Sequence, residues 1–236
     1  MGKKVYKIEN TVILAAGRGT RIRSTFNQPK CLIKFKNKTL LDHSLEKINS
    51  YSKKILIVTG YKNKNIKIQK NPRIKKLFFS NYKNTNNLQT LLYIKKYLNR
   101  GFLCLFSDLI YEKKIIKKIL SNKHDFVLAV DTISRLKDTM RVKIKNNKIT
   151  EIGNNIKPEK SDGNFIGIAK FSGYGAKSLK KYLLKNKNNK QDYYTVVLNQ
   201  MIKDNYKIQF VDVSKAKWIE IDSIKDYKKL NEEFVI

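Results

Sequence analysis

After a short apolar run the chain reads Ala15-Ala16-Gly17-Arg18-Gly19-Thr20-Arg21-Ile22-Arg23, and Gln28-Pro29-Lys30 follows. Glycines without side chains let backbone N–H groups approach a phosphate, and successive N–H groups form an anion-binding concavity. Arg21 and Lys30 add formal positive charge beside it. The spacing lacks the third glycine of the dinucleotide fingerprint and the Gly-Lys-Ser/Thr of the Walker A loop. Two carboxylates have a common setting: Asp108 comes just after the apolar run Phe102–Phe106, and Asp222 follows WIEI at 218–221. Cys31 and Cys104 lie far apart with no zinc spacing, which fits a reducing compartment. His43 and His124 read as structural or solvent-exposed, and no Ser/His/Asp set is apparent.

Elements must bring these groups together. Residues 11–16, 54–59 (KILIVT), 74–79, 102–106 (FLCLF) and 126–130 (FVLAV) read as strands, and 40–50, 88–98 and 112–120 read as helices. That alternation predicts an α/β fold: a Rossmann-like, mainly parallel sheet with helices on both faces. Ligands of such sheets collect beyond the carboxyl ends of the strands, where residues 17–21 and Asp108 fall. After Asp131 the rhythm changes. Residues 141–152 alternate around Asn146-Asn147 as a hairpin, 165–171 is a strand, 176–184 and 193–202 are helical, 207–213 and 218–221 are short strands, and 224–230 is a closing helix. Glu220 shares the strand face of Asp222 and is a supporting candidate, whereas Asp226 reads as a helix surface charge. Residues 1–236 therefore read as a single domain, with a nucleotide-binding core at about 8–131 and a β-rich and helical elaboration at about 132–236.

Hydrophobic residues make up 41% of the chain and aromatics 11%, enough to bury a core, so the charge does not signal disorder. Lys and Arg number 51 against 19 Asp and Glu, a net charge of +32, which suits nucleic acid, an anionic membrane or small polyanions. The lysines alternate with asparagines, as in KNKNIK at 62–67 and KNKNNK at 185–190, rather than with stacking aromatics. Compositional bias is the expected source, and nucleic acid is not the expected partner. MGKKVYKIEN lacks the apolar segment of a secretory signal, Gly2 lacks a myristoylation context, and no run reaches the length of a membrane span. A cytoplasmic protein without membrane insertion is expected, and a homo-oligomer is left open.

LAAGRGTRIR followed by QPK is similar to the signature of the sugar-phosphate/choline-phosphate nucleotidyltransferase superfamily, L-A-A-G-x-G-[ST]-R with Pro-Lys shortly after. Gly60-Tyr61, Asn86-Asn87, Ser107-Asp108, GNFIGIAKF at 163–171 and WIEIDSIKDY at 218–227 occur in the expected order, so the resemblance covers nearly the whole chain. Asn86-Asn87 with Thr90-Leu91, the Phe-Ile-Gly-Ile strand and the closing Glu-Ile-Asp look most like the phosphocholine cytidylyltransferase branch, which includes enzymes acting on phosphonates. The sugar-1-phosphate branch tends to have Gly-Thr-Ala in place of residues 87–91.

The resemblance implies transfer of CMP from CTP to a small phosphorylated or phosphonate acceptor, such as phosphocholine or aminoethylphosphonate, with release of pyrophosphate. A phosphate dianion is already nucleophilic near neutrality, so positioning and charge neutralisation dominate. By resemblance Arg21 faces the β- and γ-phosphates, and Lys30 the α-phosphate or the incoming phosphate. Asp108 and Asp222 would carry magnesium, a hard cation suited to carboxylates and substrate phosphates. Leu14, Ala15, Ala16, Gly17, Gly19, Thr20, Asn87 and Thr90 would bind the nucleotide, and Asp131, Arg141, Tyr193 and Tyr194 would form the acceptor pocket. Asn164 stands where similar proteins commonly carry an acidic residue, and Thr195 where they often carry Glu. Both departures point toward an acceptor less cationic than choline. The alternatives are a sugar-1-phosphate nucleotidyltransferase and, from another class, a basic nucleic-acid-binding protein.

Overall fold

Runs rich in β-branched and aromatic residues set the strands, and the computed structural model describes them within residues 7–233. Residues 1–6, on which much of the signal and acylation reading rests, lie outside the described residues. In chain order come β1 (Ile8–Ala15), β2 (Lys34–Phe35), β3 (Lys38–Thr39), α1 (Leu40–Ile48), β4 (Ser52–Thr59), β5 (Ile74–Phe78), α2 (Asn87–Tyr93), β6 (Phe102–Phe106), β7 (Leu109–Tyr111), α3 (Lys113–Ser121), β8 (Phe126–Asp131), β9 (Met140–Lys145), β10 (Lys148–Gly153), β11 (Gly163–Phe171), α4 (Gly173–Lys185), α5 (Tyr194–Lys203), β12 (Gln209–Asp212), β13 (Trp218–Glu220) and α6 (Ile224–Glu233).

The sheet runs β10-β9-β11-β6-β1-β4-β5, with β8 paired to β11 and β12 paired to β8. Strands β6, β1, β4 and β5 are parallel, the first three as expected of buried apolar runs and β5 as a half-exposed edge. β11 reverses direction against β6, β8 and β9, so the other half of the sheet is mixed. Alternation along β1 sends Val12, Leu14 and Ala16 into the core beneath α2, α4 and α5, and Ile13 and Ala15 into the core beneath α1 and α3. Both faces are thus covered.

Three local features differ from or sharpen the expectations. The helix expected at 88–98 stops at Tyr93 and tightens into a 3₁₀ turn at Lys95–Tyr97, while Ile94 and Leu98 keep the buried stripe going. Asn146 and Asn147 both take positive φ, 50° and 55°, the left-handed pair of a type I′ hairpin turn. Gly167, at φ 78°, marks the register shift where β11 passes from β9 to β6, and a Cβ there would meet Phe106 Cδ2 at 2.6 Å.

Residues 218–220 do form a strand, but not in the main sheet. β13 pairs antiparallel with β7, Glu220 opposite Leu109, as a separate ribbon. A third core of Ile22, Ile33, Phe35, Leu40, Ile110, Ile221 and Leu230 joins this ribbon to the loop after β1 and to α6. That packing carries residues near the carboxyl terminus to the mouth of the first strand.

Candidate nucleotidyl-transfer site

β1 runs past its β6 partner: the pairing with β6 ends at Leu14 and Phe106, leaving Ala15 and Ala16 beyond it. Here a cavity of about 660 Å³ opens, lined by Leu14, Ala16, Gly17 and Thr20 from the first strand and its loop. A Cβ on Gly17 would meet nothing within 4 Å, so the loop is open at that point. Gly19 does not line the cavity. It holds φ 58°, and a Cβ on it would lie 2.8 Å from Lys30 Cγ, so its bare α-carbon is what admits the lysine stem. Ala15 turns its methyl into the opposite core and offers only main chain.

Lys30, Arg21, Asp108 and Asp222 meet at one end of this cavity. The Lys30 ammonium donates to Asp108 Oδ2 at 3.1 Å and to Asp222 Oδ1, and Arg21 Nη2 donates to Asp222 Oδ2 at 2.8 Å. Burial alone would lower the Lys30 pKa, but Asp108 and Asp222 together carry it above the usual lysine range. Glu220 completes a trio whose ligand oxygens all lie within 4.8 Å of one another. Burial, then the neighbouring Asp108 and Asp222 carboxylates, push the Glu220 carboxyl well above its ordinary value. Three converging carboxylates are the all-oxygen donor set that a hard divalent cation takes. Asp226, read as a surface charge, instead accepts from the backbone N–H groups of Asp222 and Ser223 and from Ser223 Oγ, which fixes the turn that presents Asp222.

Asn87 and Thr90 line the cavity from α2. Asn87 Oδ1 accepts from the Tyr194 backbone N–H at 2.8 Å, so its donor half is what the cavity can use. Tyr82, Thr85, Asn86, Phe106, Lys137, Asp138, Thr139, Met140, Asn154 and Phe165 complete the wall together with Tyr193. Of these, Tyr82 and Asn154 carry no sequence signal of their own; Phe106 and Phe165 are strand residues indistinguishable from core until the sheet is assembled.

Three expected acceptor residues do not reach the cavity. Asp131 is buried, and its carboxylate is filled by the N–H groups of Ile133 and Ser134, by Ser134 Oγ at 2.7 Å and by Trp218 Nε1 at 2.9 Å. Arg141 is buried with its guanidinium on main-chain carbonyls. Tyr194 points into the core between Phe106 and Phe165, its ring centroid 6.4 and 6.5 Å from theirs: it is the first residue of α5 and lies on the helix face packed on the sheet, whereas Tyr193 is the extended residue before the helix. Asn164 and Thr195 are also buried: Asn164 accepts from Thr139 Oγ1 at 3.1 Å, and Thr195 Oγ1 sits 3.8 Å from Met140 Sδ. They stand behind the wall, so their identities shape it indirectly.

A glycine loop with two cations facing a carboxylate trio is suited to moving a nucleotidyl group between polyanions, and comparison with known proteins gives the same class. Residues 11–135 match the MobA-like NTP transferase domain, and the chain belongs to that family. It is 27% identical over 246 residues to the CTP:phosphoglutamine cytidylyltransferase of Campylobacter jejuni, covering 92% of this chain and 97% of that protein. It is 31% identical over 226 residues to the bifunctional protein GlmU of Buchnera aphidicola, covering 89% of this chain but 47% of that protein. In structure it resembles the CTP:phosphocholine cytidylyltransferase of Streptococcus pneumoniae, with a TM-score of 0.78 and 20% identity, over 95% of this chain and 98% of that one.

Proposed function

We propose that this chain is a magnesium-dependent cytidylyltransferase that transfers CMP from CTP to a small phosphorylated or phosphonate acceptor and releases pyrophosphate. The observation that carries the reading is the meeting of Arg21, Lys30, Asp108 and Asp222, drawn from positions up to 201 residues apart, at one end of one cavity. Full-length likeness to a phosphoglutamine cytidylyltransferase supports CTP and a phosphorylated small molecule as substrates.

The residues supply positioning and charge. Main-chain N–H groups of the Gly17–Thr20 loop and the Arg21 guanidinium hold the β- and γ-phosphates, and Lys30 neutralises charge at the α-phosphate or on the incoming phosphate. The acceptor oxygen is already anionic near neutrality, since the second pKa of a phosphate monoester is about 6, so no general base is needed. Asn87 donates to an acceptor atom on the cytosine edge, and Leu14 and Thr90 pack beside the base. Tyr193, Asp138 and Thr139 face the acceptor. Asp108, Asp222 and Glu220 would hold magnesium, which would supply positive charge to offset that of the substrate phosphates. Among the described residues no helix is long and apolar enough to cross a membrane. We place the reaction in the cytoplasm.

The test is pyrophosphate release from CTP, UTP, dTTP, GTP and ATP, each with phosphocholine, 2-aminoethylphosphonate, phosphoglutamine and glucose 1-phosphate. Release should be confined to CTP with one of the first three. Preference for UTP or dTTP with glucose 1-phosphate overturns the cytidylyl reading and installs the sugar-phosphate one.

A further inference from the structure

Arg141 lies in the middle of the mixed half of the sheet, paired in register with Gly153 of β10 and Asn164 of β11. Its side chain is buried, and its donors go to main chain. Nε donates to the carbonyl of Ile156 and Nη2 to that of Asn154, while Nη1 donates to Leu136 at 2.8 Å and to Lys137. One edge of the guanidinium fork therefore holds the segment after β10, and the remaining nitrogen holds the segment before β9. These two segments flank the β9–β10 hairpin at its open end, and both contribute cavity wall: Lys137, Asp138 and Thr139 from one, Asn154 from the other. Asn164, the register neighbour, ties the same loop again by donating from Nδ2 to Ser134 O at 2.6 Å and accepting from Thr139.

We propose that Arg141 is a positioning residue for the second substrate: it locks two loops into one wall that meets the acceptor, without touching the acceptor itself. The inference rests on the cytidylyl-transfer reading above, in which the β9–β10 side of the cavity receives the acceptor and the β1 side the nucleotide. A planar fork with five N–H donors spans four carbonyls on two segments, whereas a lysine ammonium is a single point and reaches one segment at most. Loosening the wall displaces the acceptor from in-line geometry while the nucleotide loop, anchored on β1 and Lys30, stays as it is.

Hydrogen exchange and steady-state kinetics on the full chain test this, with CTP as donor and phosphocholine, 2-aminoethylphosphonate and phosphoglutamine as acceptors. Arg141→Lys should raise amide exchange at least tenfold at 136–140 and 153–157, leave β1, β4 and β6 as protected as in the parent, raise the acceptor KM at least tenfold and keep the CTP KM within twofold. Arg141→Met, which keeps the bulk and removes every donor, should show the same split more strongly. Unchanged exchange at the two loops, equal rises in both KM values, or protection lost evenly across the sheet in both variants overturns the assignment. A parent protein that moves CMP to none of the three acceptors ends the functional reading and the acceptor role with it, while the exchange pattern still decides separately whether Arg141 clamps the two loops.

Discussion

Lys30 is threaded past Gly19 to sit between two aspartates, and its worth is electrostatic rather than steric. Removing one donor aimed at developing charge typically costs about 10²–10³-fold in rate, and Lys30→Ala should lose a comparable factor in kcat with an unchanged circular dichroism spectrum. Asp108→Ala and Asp222→Ala should each abolish pyrophosphate release while the folded state persists; measurable turnover in either would remove that residue from the proposed metal site. Asp131 belongs to stability instead. Burial opposes its charge, but hydrogen bonds from Ser134, Ile133 and Trp218 outweigh burial and hold its carboxyl below the usual aspartate range. A carboxyl depressed by folding contributes stability above its ordinary value and loses it as pH falls through the folded value. Urea midpoints of the parent and Asp131→Asn should thus differ most near neutrality and converge in acid below about pH 4; a gap independent of pH would refute the linkage. Sequence made the cavity-facing aspartates legible because each follows an apolar run at a strand end. It could not separate Tyr193 from Tyr194, or show Arg141 turned inward, because the direction of a side chain beyond a strand or at a helix start depends on where the next element packs.

At the level of elements, the parallel run β6-β1-β4-β5 was legible because buried strands between helices leave few topologies. The strand at 218–220 was legible but its pairing was not, because the partner β7 is three residues long and lies more than a hundred positions upstream. The strand at 165–171 was legible but its bend was not, since a glycine inside an apolar strand does not say which partner is exchanged. The bend's cost is measurable. Gly167→Ala would force a methyl group onto the Phe106 ring at a positive φ, so a loss of roughly 1–3 kcal/mol in urea unfolding is expected. Because Phe106 lines the cavity, a weaker apparent affinity for CTP should accompany it. Full stability in Gly167→Ala would mean the bend is not sterically required.

For the whole molecule, a net charge of +32 surrounds a cleft whose proposed substrates are polyanions. Exposed charges farther than about 10 Å from the cleft are screened at 0.1 M salt, whereas the Lys30 cluster is partly shielded from solvent. Raising NaCl from about 50 to about 300 mM should therefore raise the KM for CTP several-fold and leave kcat nearly constant; a flat KM would confine the surface charge to composition. The ribbon that brings Glu220 and Asp222 to Asp108 has a bearing on biogenesis as well. Every residue through Asp222 must leave the ribosome before the three acids can face one another, because the ribbon that presents Glu220 and Asp222 is made more than a hundred positions after Asp108. The loop proposed to grip phosphate is thus made long before the acids proposed to complete the site, and a stop ahead of Trp218 should yield an inert protein even though nearly every residue of the two large cores has been made.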